Sequence, residues 1–443
     1  MKNIFCIIVI MLLMSRCNVL DVQPQDSIPA NAVFTNKAGI ERGIVGAYSA
    51  LQSLSYFGRT YLTFSDLAAD NLAHPPDATN SDYAEVDNNA ILPENSAVDG
   101  IWASLYDGIN EANNVIVKVP GMTDMTDEEK NAALGELYFI RALNHFNLMN
   151  YFGAIPIKIV PPQGVTNIDA GRDPIEDVYS QIIEDLTFAE QHLNPSAATK
   201  IRASKYAATA LLARVYLYKG DYDLAYTKAN DVILNGDYTL PANYGDIFAN
   251  DKSLESIFEI DYTEVDRNRI AEQNFPHSLN GRREVMPAPG LISAYEPGDE
   301  RKAVSIAYDG LNAYANKYND LSLGADNIIV LRLGEMYLIR AEAEAHKTAG
   351  SITAIQDDIN VIRTRANLSS TPANSISTLL MAIEKERRVE FAFEGHRWFD
   401  LVRTGRATVV LPTVTNINKT LFPIPSSEIQ TKKNPDMKQN LGY

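Results

Sequence analysis

ASKYAATALLARVYLYKGDYDLAYTKANDVI, residues 203–233, reads as two amphipathic helices joined at Gly220-Asp221-Tyr222. Ala208, Leu212 and Tyr216 recur at helical spacing on the first helix, and Ala225 and Ala229 on the second. Alanines at those points let two helix axes approach closely while tyrosines fill the gaps between neighbours, which is the packing grammar of tetratricopeptide repeats. Residues 331–363, LRLGEMYLIRAEAEAHKTAGSITAIQDDINVIR, repeat it with Tyr337, Ala341, Gly350 and Ala354, and GELYFIRALNHFNLMNYFG at 135–153 supplies a further first helix. The copies are degenerate and widely separated. They predict several helix pairs within one mainly α domain and not a regular solenoid.

Outward from these pairs, apolar residues three and four apart predict helices at 36–54, 98–119, 127–150, 174–193, 203–219, 222–235, 328–347, 351–366 and 376–403. Two stretches break the pattern, at about 74–97 and 239–327, where Gly, Pro, Asn, Asp and aromatic residues take over. Within the second, SIFEIDY at 256–262 alternates like a short strand. Loops this long in a compact domain are usually functional, so the helices read as scaffold and the loops as working surface.

The chain has 443 residues, 46% of them hydrophobic, enough for a substantial core. Its net charge of -17 disfavours nucleic acid and anionic membrane as partners. An apolar run from Ile4 to Met14 is too short to span a bilayer but suits a secretory signal. Leu13-Met14-Ser15-Arg16-Cys17 resembles a bacterial lipobox, with Arg16 departing from its small residue before the cysteine. Removal of Cys6 with the signal leaves Cys17 alone, without a disulfide partner. The expected organisation is a signal peptide at 1–16, lipid attachment at Cys17, an extended tether at 17–33 and a single domain at 34–443.

Residues 387–406, RRVEFAFEGHRWFDLVRTGR, gather acids, arginines and a histidine as an active site does. On one continuous helix Glu386, Glu390, Phe393, Glu394, Arg397 and Asp400 would share a face. Acids on successive turns do not stand across a cleft as a glycosidase pair does. His396 has the wrong spacing from Glu394 for a di-iron motif, and no histidine pair has zinc spacing. Ion pairing is the simpler reading, with Trp102 and Trp398 in helical apolar stripes as core residues. No G-x-S-x-G, Walker A or dinucleotide fingerprint is present, and no metal, cofactor or catalytic residue is assigned.

Ordered stretches along nearly the whole chain carry a family resemblance. They are CNVLDVQPQD from Cys17, SDLAADN from Ser65, IWASLYDGINEANNVI from Ile101, LYFIRALNHFNLMNYFGAIPI from Leu137, ERRVEFAFEGHRWFDLVRTGR from Glu386 and LFPIPSSEIQTKKNPDMKQNLGY from Leu421. Together they resemble the SusD/RagB family of surface lipoproteins from Bacteroidota nutrient-uptake systems. The resemblance implies tetratricopeptide-like helix pairs supporting a loop-built site with short strands. It also implies a lipid-anchored outer-membrane protein facing the cell exterior, which binds oligosaccharide or polysaccharide, transforms nothing, and serves a SusC-like TonB-dependent transporter. Peptide binding is the alternative within the family; a periplasmic helical-repeat scaffold and a helical-barrel hydrolase are the alternatives outside it.

With both tryptophans assigned to the scaffold, the ligand platforms are sought among loop tyrosines and phenylalanines. Tyr56, Tyr83, Phe275, Tyr308 and Tyr314 are the candidates, with Asp77, Asn80, Arg267, Asn268 and His277 as polar neighbours. The loops around 74–97 and 262–320 are expected to form one shared site.

Overall fold

The computed structural model describes residues 34–162, 170–195, 199–431 and 434–443. The expected signal peptide, lipid attachment at Cys17 and tether lie outside the described residues. The first described helix, α1 (Lys37–Ala50), begins where Asn36 accepts the Gly39 amide, the side-chain cap that orphan helix N–H groups require. It packs on α4 (Ser96–Ile116) and α5 (Asp127–Phe152). Thr126 and Glu129 start α5 with reciprocal hydrogen bonds, and Gly153, at φ 74°, ends it. Between α1 and α4 lie α2 (Thr60–Leu67), β1 (Leu72–Ala73) and α3 (Ser81–Asp87). Every residue of α2 is buried, so it lacks the polar face that periodicity detects.

From α5 the helices stack in order: α6 (Ile175–His192), α7 (Lys205–Lys219) and α8 (Tyr222–Asn235). Ala208, Leu212, Ala225 and Ala229 are fully buried, and left-handed Gly220 turns the chain between α7 and α8. Helix α9 (Leu333–Ala345) then packs directly against α8, although nearly the whole second insert separates them in sequence. Helices α10 (Ile352–Arg365) and α11 (Ile376–Glu390) follow. A Cβ at Gly350 would meet the Glu344 carbonyl oxygen at 2.1 Å, which fixes glycine between α9 and α10. The stack is therefore continuous in space where the sequence shows scattered pairs.

Three predicted elements differ. The 328–347 helix starts five residues late, because Ile328–Arg332 is β6, paired antiparallel with β2 (Ser256–Ile260). A short apolar run buried on both faces is equally strand or helix until a partner strand is known. All five residues of β2 are buried as well, so its alternation does not mark one wet face. The 376–403 helix breaks after Glu390 and resumes as α12 (Arg397–Arg403). Phe393 and Gly395 adopt φ 67° and 85° in the break, and a Cβ at Gly395 would sit 2.7 Å from Leu62 Cδ2. The single face expected for Glu386 through Asp400 therefore does not exist.

The second insert adds short helical turns, β3 (Met286–Pro287) and a hairpin of β4 (Ile306–Asp309) and β5 (Asn312–Ala315). Both tryptophans belong to the scaffold, at 3% exposure for Trp102 and 0% for Trp398.

Candidate functional site: a loop face and the charge network beneath it

The side chains of 387–406 point into the molecule. Glu390 is fully buried; Oε1 accepts from Arg332 Nη1 at 2.6 Å and from Arg365, and Oε2 accepts from Arg301 at 3.2 Å. Arg332 also binds Glu255 and Glu394, each at 2.7 Å. Lys317 donates to Glu394 at 2.7 Å and to the Glu390 carbonyl at 2.8 Å, while Arg301 holds Glu386 at 2.9 Å. Burial alone would push the Glu390 carboxyl up, but Arg365, Arg332 and Arg301 outweigh it and hold it far below the carboxylate range. Burial draws Lys317 down to about 8, with Glu394 opposing.

Asp400 pairs separately with Arg387 and Arg403, each at 2.8 Å, and Arg397 with Asp70 at 2.7 Å. His396 is buried, and burial followed by the nearby arginines drives its pKa well down, so it is a neutral packing residue. These groups clamp the second insert, which supplies Glu255, Arg301 and Lys317, to the helical stack. The neighbouring Asp66 is fully buried and accepts from Asn71 Nδ2 at 2.7 Å and the Gly395 amide at 3.3 Å. Burial pushes its carboxyl up to about 7 against those hydrogen bonds.

The two loop regions meet on the surface. Strand β1 pairs with β3, Leu72 opposite Pro287 and Ala73 opposite Met286. Beyond that ladder the amides of Thr79 and Asn80 donate to Glu284 Oε2 at 3.3 and 3.2 Å, and His74 Nδ1 lies 3.0 Å from the Glu284 carbonyl oxygen. Arg283 donates to both oxygens of exposed Asp77 at 2.6 and 2.7 Å. The slight burial of Asp77 raises its pKa, but backbone and Arg283 hydrogen bonds bring it below the usual value. The β4–β5 hairpin leans on this platform through Phe275 and Tyr314, with ring centroids 4.5 Å apart, and through the Ser278–Asp309 hydrogen bond. At Gly281 a Cβ would lie 2.0 Å from the Phe275 carbonyl oxygen, so the loop closes only on glycine.

Of the expected site residues, Asp77, His277 and Tyr308 are exposed here, and Asn80, Tyr314 and Arg267 partly so. Tyr308, 52% exposed, is the most open of the five candidate aromatics. Asn80 caps α3 by accepting the Asp82 amide. Arg267 donates to the carbonyls of Leu323 and Ser322 at 2.5 and 2.6 Å, and Asn268 to those of Gly324 and Asp326. Asn268 is buried and serves as a loop staple, which corrects its placement as a surface contact.

Three aromatics depart from the expectation of exposed platforms. Tyr56 is fully buried and accepts a hydrogen bond from Asn147 at 2.6 Å. Tyr83, at 2% exposure, packs edge-on against Phe64 because α3 turns its apolar side inward. Phe275 is 9% exposed beneath the Tyr314 ring. Sequence reasoning missed Arg59, Arg269, Arg282 and Arg283 on the same side. The signal was present in the four arginines that Arg267–Arg283 sets against the single acid Glu272. Two cavities of about 510 and 620 Å³ open elsewhere, one beside Tyr218, Met381 and Arg406 and one beside Trp102, Tyr106 and Ile159. Neither is lined by residues of the loop face.

Comparison with known proteins accounts for this architecture. Residues 301–420 match the model described as SusD family, and residues 18–217 match the one described as starch-binding associating with outer membrane. SusD-like protein P2 of Formosa agariphila is 28% identical, the match covering 98% of each chain. The starch-binding protein SusD of Bacteroides thetaiotaomicron is 25% identical over 82% of each. A solved laminarin-binding SusD-like protein superposes with a TM-score of 0.81 at 26% identity, covering 92% of this chain and all of that one. Among the described residues no helix is long and apolar enough to cross a membrane. The chain belongs to the SusD/RagB family of outer-membrane-associated, non-catalytic binding proteins.

Proposed function

We propose that the protein is a lipid-anchored outer-membrane receptor that captures oligosaccharide or polysaccharide on the loop face and delivers it to a TonB-dependent transporter. The observation that carries this reading is the joining of two chain-distant loops into one surface bearing Tyr308 and Tyr314. Sugar rings stack on flat aromatic faces, and their hydroxyls need donors and acceptors of the kind that Asp77, Asn80 and His277 offer. The laminarin-binding and starch-binding relatives support glycan as the ligand class. Nothing in this arrangement requires a reacting group, because capture and release suffice.

The test is affinity electrophoresis and calorimetry of the full chain against a panel of polysaccharides, with oligopeptides as the competing class. Retardation by at least one polysaccharide is expected. Binding confined to peptides would replace glycan with peptide as the cargo. Delivery is tested by co-purification with an outer-membrane transporter from the native host, and recovery of the receptor alone would count against that part.

A further inference from the structure

Resting on the reading of the loop face as a glycan site, we propose that its ligand is a polyanionic glycan whose uronate carboxylates or sulfate esters are met by arginines gathered around Arg282. The chain as a whole carries a net charge of -17, yet Arg267–Arg283, bounded by Asp266 and Glu284, holds four arginines against the one internal acid Glu272. The backbone assembles them. The Arg269 amide donates to the Gly58 carbonyl at 2.8 Å, which sets Arg269 beside Arg59. The Arg282 amide donates to Glu272 and the Glu284 amide to Gln273, at 2.7 and 2.9 Å, which lays Arg282 alongside the turn that follows Arg269. At the Tyr83 hydroxyl, Arg59 and Arg282 oppose the rise in pKa that burial causes, while Glu284 adds to it.

Arg269 holds Glu272 and Arg283 holds Asp77, each at 2.6 Å, whereas Arg59 and Arg282 are incompletely neutralised. In the clamp and the scaffold Arg301, Arg332, Arg365, Arg387, Arg397 and Arg403 each hold a carboxylate within 2.9 Å. Arg282 has a side chain 57% exposed, and its ion-pair partner, Glu284, lies at 3.8 Å, beyond hydrogen-bonding length. Arg59 Nε donates to Thr60 Oγ1 at 3.3 Å, and Arg59 has no carboxylate partner among the described residues. Arg283 spends one terminal nitrogen on Asp77 and leaves Nε without an acceptor among the described residues.

A guanidinium fork matches the two oxygens of a carboxylate or sulfate, and several forks along one open face match charges repeated along a polymer. A neutral glycan can take single hydroxyl hydrogen bonds from them but offers no anionic group for the fork to pair with. The overall negative charge works in the same direction as selectivity, since it repels polyanions everywhere except where arginines outnumber acids locally.

The experiment uses the full chain with three polymers, polygalacturonate, dextran sulfate and laminarin, each at low and high salt. Binding of one or both polyanions, weakening as salt rises, is expected. Preference for polygalacturonate identifies carboxylate as the recognised group, and preference for dextran sulfate identifies sulfate. The double change Arg59→Gln and Arg282→Gln should weaken that binding at least tenfold without moving the melting temperature. Arg282→Lys, which keeps the charge and loses the fork, should fall between. Laminarin bound and both polyanions ignored would overturn the inference while leaving the glycan site intact. Failure of all three would overturn both, and polyanion binding unchanged in the double variant would overturn the assignment to these arginines.

Discussion

Glu390 answers to three guanidinium groups at zero exposure, so removing its carboxylate leaves Arg301, Arg332 and Arg365 in low dielectric with fewer acids than cations nearby. Glu390→Ala should destabilise by about 3–5 kcal/mol, the range for stripping one partner from a buried pair. A denaturant titration reads it directly, and glycan affinity of the folded fraction should not change. Asp66 has the opposite electrostatics, because its folded pKa of about 7 lies above the ordinary carboxylate value. Between about pH 4 and 7 the folded state keeps a proton that the unfolded state has lost. Its contribution is therefore fully present at acid pH and declines as pH rises through that window, by up to about 1.4 kcal/mol per unit. Urea midpoints of Asp66→Asn, plotted against pH, should lack that decline.

The elements show which signals a sequence carries and which it hides. Helices α5 to α8 were legible because each is a long run with apolar residues at helical spacing, and α5 and α7 carry recognisable caps in Thr126 and Gly220. Strand β6 and helix α2 were not, since both are short runs buried all round, without the length that marks α7 as a helix despite its burial from Tyr206 to Leu217. The break at Phe393–Gly395 depends on contact with Leu62, which no local pattern reports. The meeting of the two loops was legible as an expectation, but the depth of each tyrosine was not, because it is set by how α3 and the hairpin dock. That difference in depth separates two substitutions. Tyr308→Ala, at a half-exposed strand position, should weaken a confirmed glycan by about 1–2 kcal/mol with little change in melting temperature. Tyr83→Ala, in the core, should cost about 3 kcal/mol of stability. Calorimetry and thermal unfolding of the two variants would expose any exchange of these outcomes.

At the scale of the whole molecule, the α5–α11 stack, the insert and the proposed lipid anchor divide support, recognition and placement among separate parts of the chain. Cys17→Ala should leave the thermal transition unchanged yet move the protein from the membrane fraction to the soluble one, because acyl chains provide the anchoring energy. Fractionation in a host lacking the partner transporter checks this, and unchanged membrane association would remove the anchor from the scheme. The clamp beneath the insert also has a consequence in time. A chain made from its N-terminus presents Arg301, Lys317, Arg332 and Arg365, with only Asp299 and Glu255 as early partners, before Glu386, Glu390 and Glu394, the acids that complete their neutralisation. Helices α5 to α8 have neighbours to pack on early, whereas the loop face must wait for about the last seventy residues before its foundation can close. A chain stopped before Ile376 should accordingly resist protease through α8 and be cut throughout 239–327, so the surface proposed to meet the ligand is among the last parts of the molecule to set.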